Sequence, residues 1–218
     1  MLMENRITAL IVQKRNPDRV NVFMDGSFSF SVSRLVGAWL KVGQSINQQK
    51  IKEMLSADEM EKAFQSAVHF LSFRSRSENE IRLNLTKKEF SSFTIEETIN
   101  KLKAAGLVND ADFARQWVET RANLKPRSRR LMEYELRKKK VPDNQILQAI
   151  EIIPDDATLA LQAAQKKIHQ YNHLEKDSFR KKITSFLMRR GFHYDVIRQT
   201  LDQIGEEINA KNSKKNND

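Results

Sequence analysis

The amino-acid sequence predicts a mainly α protein of three tandem three-helix repeats forming an elongated, curved body. A small N-terminal segment, a β-hairpin with a third strand and short helices, precedes them. Three observations predict this. Hydrophobic periodicity switches from alternating to helical near residue 56, a set of apolar positions recurs three times at a fixed spacing, and only 6 Gly and 4 Pro occur in 218 residues. So few turn-formers suit long amphipathic helices better than a loop-rich architecture.

The chain opens with β-prone runs. Ile7 to Gln13 is followed by a polar turn from Asn16 to Arg19, then by two alternating runs on either side of Asp25 and Gly26. Asp-Gly readily takes the positive φ angles of a two-residue hairpin loop, so three strands are expected between Ile7 and Val32. Ser33 to Leu40 and Asn47 to Leu55 read as short helices, closing an N-terminal segment at 1–56. Helix starts then follow as Ser/Thr-x-x-Glu boxes at Ser56, Ser77 and Thr94, each pairing a capping hydroxyl with a Glu three residues later.

The repeat is the most informative feature. Leu85, Leu136 and Leu187 lie 51 residues apart, each followed by a basic turn and then by Phe90, Val141 and Phe192. The same spacing relates Ile81, Met132 and Ile183, then Ile95, Ile146 and Ile197, then Ile99, Ile150 and Leu201, then Leu102, Ile153 and Ile204. Within each copy the last three positions fall at i, i+4 and i+7, one stripe of a helix. Each copy therefore reads as helix, turn, helix, with a further helix leading it at Ala67, Ala114 and Ala164. A single unit of this size buries too little surface alone, and stacked neighbours supply the missing core. The repeats are expected at 57–108, 109–153 and 154–206, with a disordered polar tail at 207–218.

The chain carries 38 Lys and Arg against 28 Asp and Glu, a net charge of +10, with a pI near 9.8 and a mean hydropathy of −0.61. Such a surplus favours an acidic partner, either nucleic acid or an acidic protein surface. With no cysteine, disulfides, thiolate metal sites and cysteine nucleophiles are excluded. No apolar run reaches the roughly 20 residues that span a bilayer, so no membrane partner is expected. A cytoplasmic location and a monomeric state are separate expectations. No phosphate-binding glycine loop, nucleophile elbow or His/Asp/Ser set occurs, and His169 and His173 lack the Glu of a metal-binding helix motif. No catalytic centre, cofactor or metal is expected.

The charge is concentrated. Between Arg121 and Lys140 stand nine basic residues (Arg121, Lys125, Arg127, Arg129, Arg130, Arg137, Lys138, Lys139, Lys140) against Glu133 and Glu135, which is +7 in twenty residues. Like charges packed this closely repel one another unless an anion joins them. Arg180, Lys181, Lys182, Arg189 and Arg190 form a weaker echo, and Arg74 and Arg76 flank Ser75 at the end of the first repeat's leading helix, where they equally suit its dipole. Asp110 and Asp112 read as first-turn helix acids, and Phe113, Trp117 and Val118 as a core stripe instead of a base-stacking platform.

At Leu71 to Leu83, at Gly106 to Ala114 continuing through Trp117 and Val118 to Arg121, and at Leu131 to Leu136 with its basic ending, the sequence resembles the RecX family. The likeness runs from about Ala57 to Ile204, and the β-rich start is similar to the longer members. It departs from the family where Glu89 and Lys140 replace a common Gly that Gly191 retains, and at Ser128, another frequent Gly. The resemblance implies a non-catalytic regulator lying in the groove of the RecA filament on single-stranded DNA, with direct contact to that DNA as a further possibility. It would lower strand exchange and RecA-stimulated cleavage of the SOS repressor. The basic residues named above, Lys182 aside, are the candidate contacts. The rival reading is a tandem helix-turn-helix DNA reader acting independently of RecA. Against it, the turns at Thr94, Asp143 and Tyr194 are mostly acidic or apolar, where a major-groove reader places Arg, Asn or Gln.

Overall fold

The computed structural model describes the backbone of residues 5–171 and 173–215, with side chains through Glu206. The chain divides into two compact units. Most of residues 1–108 form the first, and residues 77–79 and 109 onward form the second.

In the first unit, β1 (Asn5–Val12), β2 (Arg19–Met24), β3 (Ser27–Ser33) and the short β4 (Ser45–Ile46) make an antiparallel sheet in the order β3-β2-β1-β4. The β2–β3 hairpin turns on Asp25 and Gly26, at φ 48° and 84°, the left-handed pair that a two-residue loop needs. Asp25 also accepts the backbone N–H of Arg6 at 3.1 Å, tying the turn to β1.

Two local expectations are corrected here. Residues 34–39 form successive turns and not a helix, with the Gly37 amide donating to the Ser33 carbonyl. The second short helix is the beginning of α1 (Gln48–Ser72), which runs unbroken for 25 residues from an Asn47 cap. Ser56 therefore lies inside a helix, and Ser56-x-x-Glu59 marks no start. Helix continuity wins because α1 serves two cores. Its first half puts Ile51 and Met54 against Ile7, Val22, Met24, Phe30 and Val32 of the sheet. Its second half puts Ala63 and Ala67 against α2 (Glu78–Lys87) and α3 (Ser92–Ala104) through Ile81, Leu85, Ile95, Ile99 and Leu102. The cap of α3 is Ser91, whose side chain accepts the Thr94 N–H at 3.1 Å. Thr94 is thus in the first turn, buried, with its hydroxyl donating to Glu59 at 3.0 Å.

The second unit holds α4 (Asp110–Leu124), α5 (Arg129–Lys138), α6 (Asp143–Glu151), α7 (Asp156–Tyr171), α8 (Lys176–Arg189) and α9 (Tyr194–Lys215). Residues 207–215, within the expected tail, continue α9, and 216–218 lie outside the described residues. One continuous core joins these six helices. Every repeat position named from the sequence is buried in all three copies, except Phe90, which is half-buried. Phe113 and Val118 belong to the same core and Trp117 packs against it, as the stripe predicts.

A joint links the two modules of this unit. The Ser128 amide donates to the Arg190 carbonyl at 3.0 Å, and Asp156 accepts the Arg129 amide at 2.8 Å. Ser77, Glu78 and Lys139, 51 positions before Ser128, Arg129 and Arg190, take part in a similar joint: the Ser77 hydroxyl donates to the Lys139 carbonyl at 3.0 Å, and Asp110, 46 positions before Asp156, accepts the Glu78 amide at 2.8 Å. Ser128, one of the departures from glycine, has its side chain employed as the cap of α5.

Candidate functional site

The basic residues of the second unit sort into two kinds once their neighbours are known. Glu135, on α5, is the organising acid. It accepts from the Trp117 indole N–H at 2.9 Å and pairs with both Arg121 and Arg127. The Arg121 guanidinium lies over the Trp117 ring at 3.4 Å, and Lys139 Nζ lies 4.4 Å from that ring's centre. Burial pushes the Arg121 guanidinium below its usual value. Burial also lowers Arg127, with repulsion from Arg121 and Arg190 added. Arg121 and Arg127 are therefore ligaments between α4, the following loop and α5.

Arg129 is likewise occupied, donating to the Pro154 carbonyl at 3.0 Å and the Ile153 carbonyl at 2.5 Å at the end of α6. Arg137 bridges Glu133 and Asp143 on the surface at 3.4 and 2.8 Å. Lys125, Arg130, Lys138 and Lys140 are exposed, and among the described residues none of them pairs with a carboxylate. Lys138 Nζ approaches only the Tyr134 ring, at 4.8 Å. The twenty-residue basic stretch is thus partly an internal brace and partly a solvent-facing set of cations.

The third module shows the same division. Arg180 pairs with Asp202 at 3.2 Å, whereas Lys181 and Arg189 are exposed. Arg190 donates to the Pro126 carbonyl at 3.2 Å and lies over Phe186 at 4.9 Å. In the first unit Arg74 grips both oxygens of Glu80, at 2.7 and 3.3 Å, and Arg76 stacks on Phe70 at 3.9 Å. The Arg76 Nε is buried without a hydrogen-bond partner among the described residues. Burial, with repulsion from Arg74, lowers the Arg76 guanidinium.

By sequence alone Glu135 is merely one of two acids diluting a basic run. The signal that marks it is its repeat position, which Asn84 and Phe186 occupy in the other copies: a charged side chain there, among arginines, calls for internal pairing. Lys166 and Lys167 on α7 escape sequence reasoning, because nothing local distinguishes them from ordinary surface lysines. No group of three or more His, Asp or Glu able to hold a metal occurs among the described residues. None of the described helices is long and apolar enough to cross a membrane.

Comparison with known proteins covers most of the chain. Residues 5–47 match the regulatory protein RecX N-terminal domain, and residues 63–102, 109–150 and 155–201 match the first, second and third three-helix domains of RecX. The chain is similar to the regulatory protein RecX of Bacillus pumilus, at 35% identity over 201 residues, covering 90% of this chain and 76% of that one. It is 33% identical to the Bacillus subtilis protein of the same name over 205 residues, 92% and 78% of the two chains. A crystal structure of regulatory protein RecX superposes with a TM-score of 0.67 at 24% identity over 91% of this chain and 99% of the other, a likeness of fold. The crystal structure of RecX from Lactobacillus salivarius superposes with a TM-score of 0.57 at 27% identity, covering 68% and 98%.

Proposed function

The chain belongs to the RecX family of regulatory proteins, and from that membership we propose that it binds the RecA filament on single-stranded DNA and inhibits recombination and RecA-stimulated repressor cleavage. It acts by binding, without a catalytic step. The observation that carries the reading is a set of exposed cations that pair with no carboxylate among the described residues: Lys125, Arg130, Lys138 and Lys140, on a loop and helix that Glu135, Arg121, Arg127 and Arg129 brace, together with Lys181 and Arg189 on α8. A rigid array of uncompensated charge attracts a polyanion without first having to order itself. The RecA filament on DNA presents both nucleic-acid phosphate and protein carboxylates to such an array.

The test is inhibition of single-stranded-DNA-dependent RecA ATP hydrolysis by wild type and by the double variant Arg130→Glu with Lys138→Glu. The variant is expected to need at least tenfold more protein for half-inhibition, since every cation that meets a phosphate raises affinity several-fold at low salt. Its denaturation midpoint should match wild type, because neither side chain pairs with a carboxylate. Undiminished inhibition, or tight binding to bare DNA that RecA does not alter, would overturn the reading.

A further inference from the structure

Within the second unit the loop after α4, the outer face of α7 and the end of α8 enclose a cleft of about 160 Å3. Four of its walls are cations, Lys125, Lys166, Lys167 and Arg190, and no carboxylate lines it. Leu124, Pro126, Ala163 and Phe186 form the apolar remainder. Two of the cations are fixed in place by backbone carbonyls. Lys166 donates to Asn123 and Leu124, at 2.5 and 3.4 Å, and Arg190 donates to Pro126 at 3.2 Å. The other two are lysines at the rim: Lys167 donates to the Gln170 side chain at 2.7 Å and lies 5.7 Å from the Phe186 ring centre, and Lys125 is exposed.

Carbonyl oxygens at the end of α4 offset part of this charge, as a helix C-terminus does. They do not cancel four cations around one concavity, and burial lowers the Arg190 guanidinium. Carbonyl anchoring keeps Lys166 and Arg190 from swinging apart to relieve their repulsion. A cleft of this size, lined by cations and by no carboxylate, suits a tetrahedral oxyanion.

We propose that this cleft seats one backbone phosphate of single-stranded nucleic acid, held by Lys125, Lys167 and Arg190. One carboxylate and one phosphodiester each carry a single charge, so what favours nucleic acid is its run of neighbouring charges. A strand presents phosphates in succession, so one in the cleft brings others past the exposed Arg189. The inference deepens the filament reading by naming a direct contact to DNA, and it implicates Lys166 and Lys167, which lie outside the basic clusters of the sequence.

The experiment measures binding of the full chain to a fluorescent single-stranded oligothymidylate across a salt series. Wild type is compared with Lys125→Gln plus Lys167→Gln, and with a charge-matched control, Lys14→Gln plus Lys52→Gln, on exposed positions of the first unit. For single strands each phosphate contact contributes about 0.7 to the slope of log affinity against log salt, which is about eightfold in affinity at 50 mM. The cleft variant should lose about that slope and about that affinity while the control keeps the wild-type slope, with thermal melting unchanged in both. A wild-type slope in the cleft variant, or an equal fall in the control, overturns the proposal. The RecA ATPase assay separates the two readings. If the cleft variant loses RecA inhibition but keeps its DNA slope, the cleft takes a protein carboxylate and the phosphate proposal fails alone. If wild type does not inhibit RecA yet the slope falls as expected, the filament reading fails and the cleft stands.

Discussion

Individual side chains decide whether a charge in this protein works inward or outward. Glu135 has a side chain only 16% exposed and faces two guanidinium groups that are 21% and 31% exposed. Glu135→Ala strands Arg121 and Arg127 and leaves the Trp117 indole unpaired, so a loss of about 2–3 kcal/mol is expected in chemical denaturation. A second pair of residue-level outcomes concerns the left-handed turns. Glu89, Lys140 and Gly191 all adopt positive φ, at 63°, 59° and 85°, closing the first helix of each repeat's pair in the same way. The backbone keeps the left-handed cap even where glycine is lost, so Lys140→Gly should stabilise the protein by up to about 1 kcal/mol in urea melts. Gly191→Ala should do the opposite by more than that, because a Cβ there would meet Ser128 Oγ at 2.7 Å and Leu131 Cβ at 2.8 Å. At Gly191 the close approach of Ser128 and Leu131 leaves no room for a side chain.

Among the elements, α1 is the one whose role is least visible locally. Asp58, 1% exposed, docks it on the sheet by accepting the Ser33 amide at 2.6 Å while pairing with Arg19 at 3.2 Å and Lys62 at 2.8 Å. Burial alone pushes this carboxyl up, but hydrogen bonds from Lys62, Ser33 and Arg19 prevail and hold it below its ordinary value of 3.8. A carboxyl depressed by folding contributes its full stability above that ordinary value and loses it as pH falls through the lower folded one. Acid titration of the first unit's unfolding should therefore show stability falling below about pH 4. Asp58→Asn should lower stability at neutral pH by about 3 kcal/mol, with the gap to wild type closing as the medium is acidified. A gap independent of pH would show that the carboxylate's charge is not what docks the helix. The helix-start signals around α1 and α3 mislead for a related reason. Ser56 and Thr94 have capping chemistry, but Ser56 sits within an unbroken helix and Thr94 spends its hydroxyl on Glu59.

At the scale of the whole molecule, the proposed function rests on dividing a net charge of +10 between bracing and display. Neighbouring residues on one helix end up with different tasks: Arg129 closes α6 through two carbonyls while Arg130 faces solvent. That contrast underlies the expectation that Arg130→Glu with Lys138→Glu weakens RecA inhibition without loss of fold, and that inhibition by wild type declines as salt rises.

Helical class, the threefold register, the hairpin at Asp25 and Gly26 and the buried stripes were all determined by the sequence itself. They follow from local periodicity and backbone chemistry, which one strand of text contains in full. Which arginines are ligaments, where α1 begins and ends, and that lysines of α7 meet Lys125 and Arg190 around one cleft were decided only by tertiary structure. A charge's role depends on partners tens of residues away, and neither spacing nor composition says which carboxylate or carbonyl folding will bring to it.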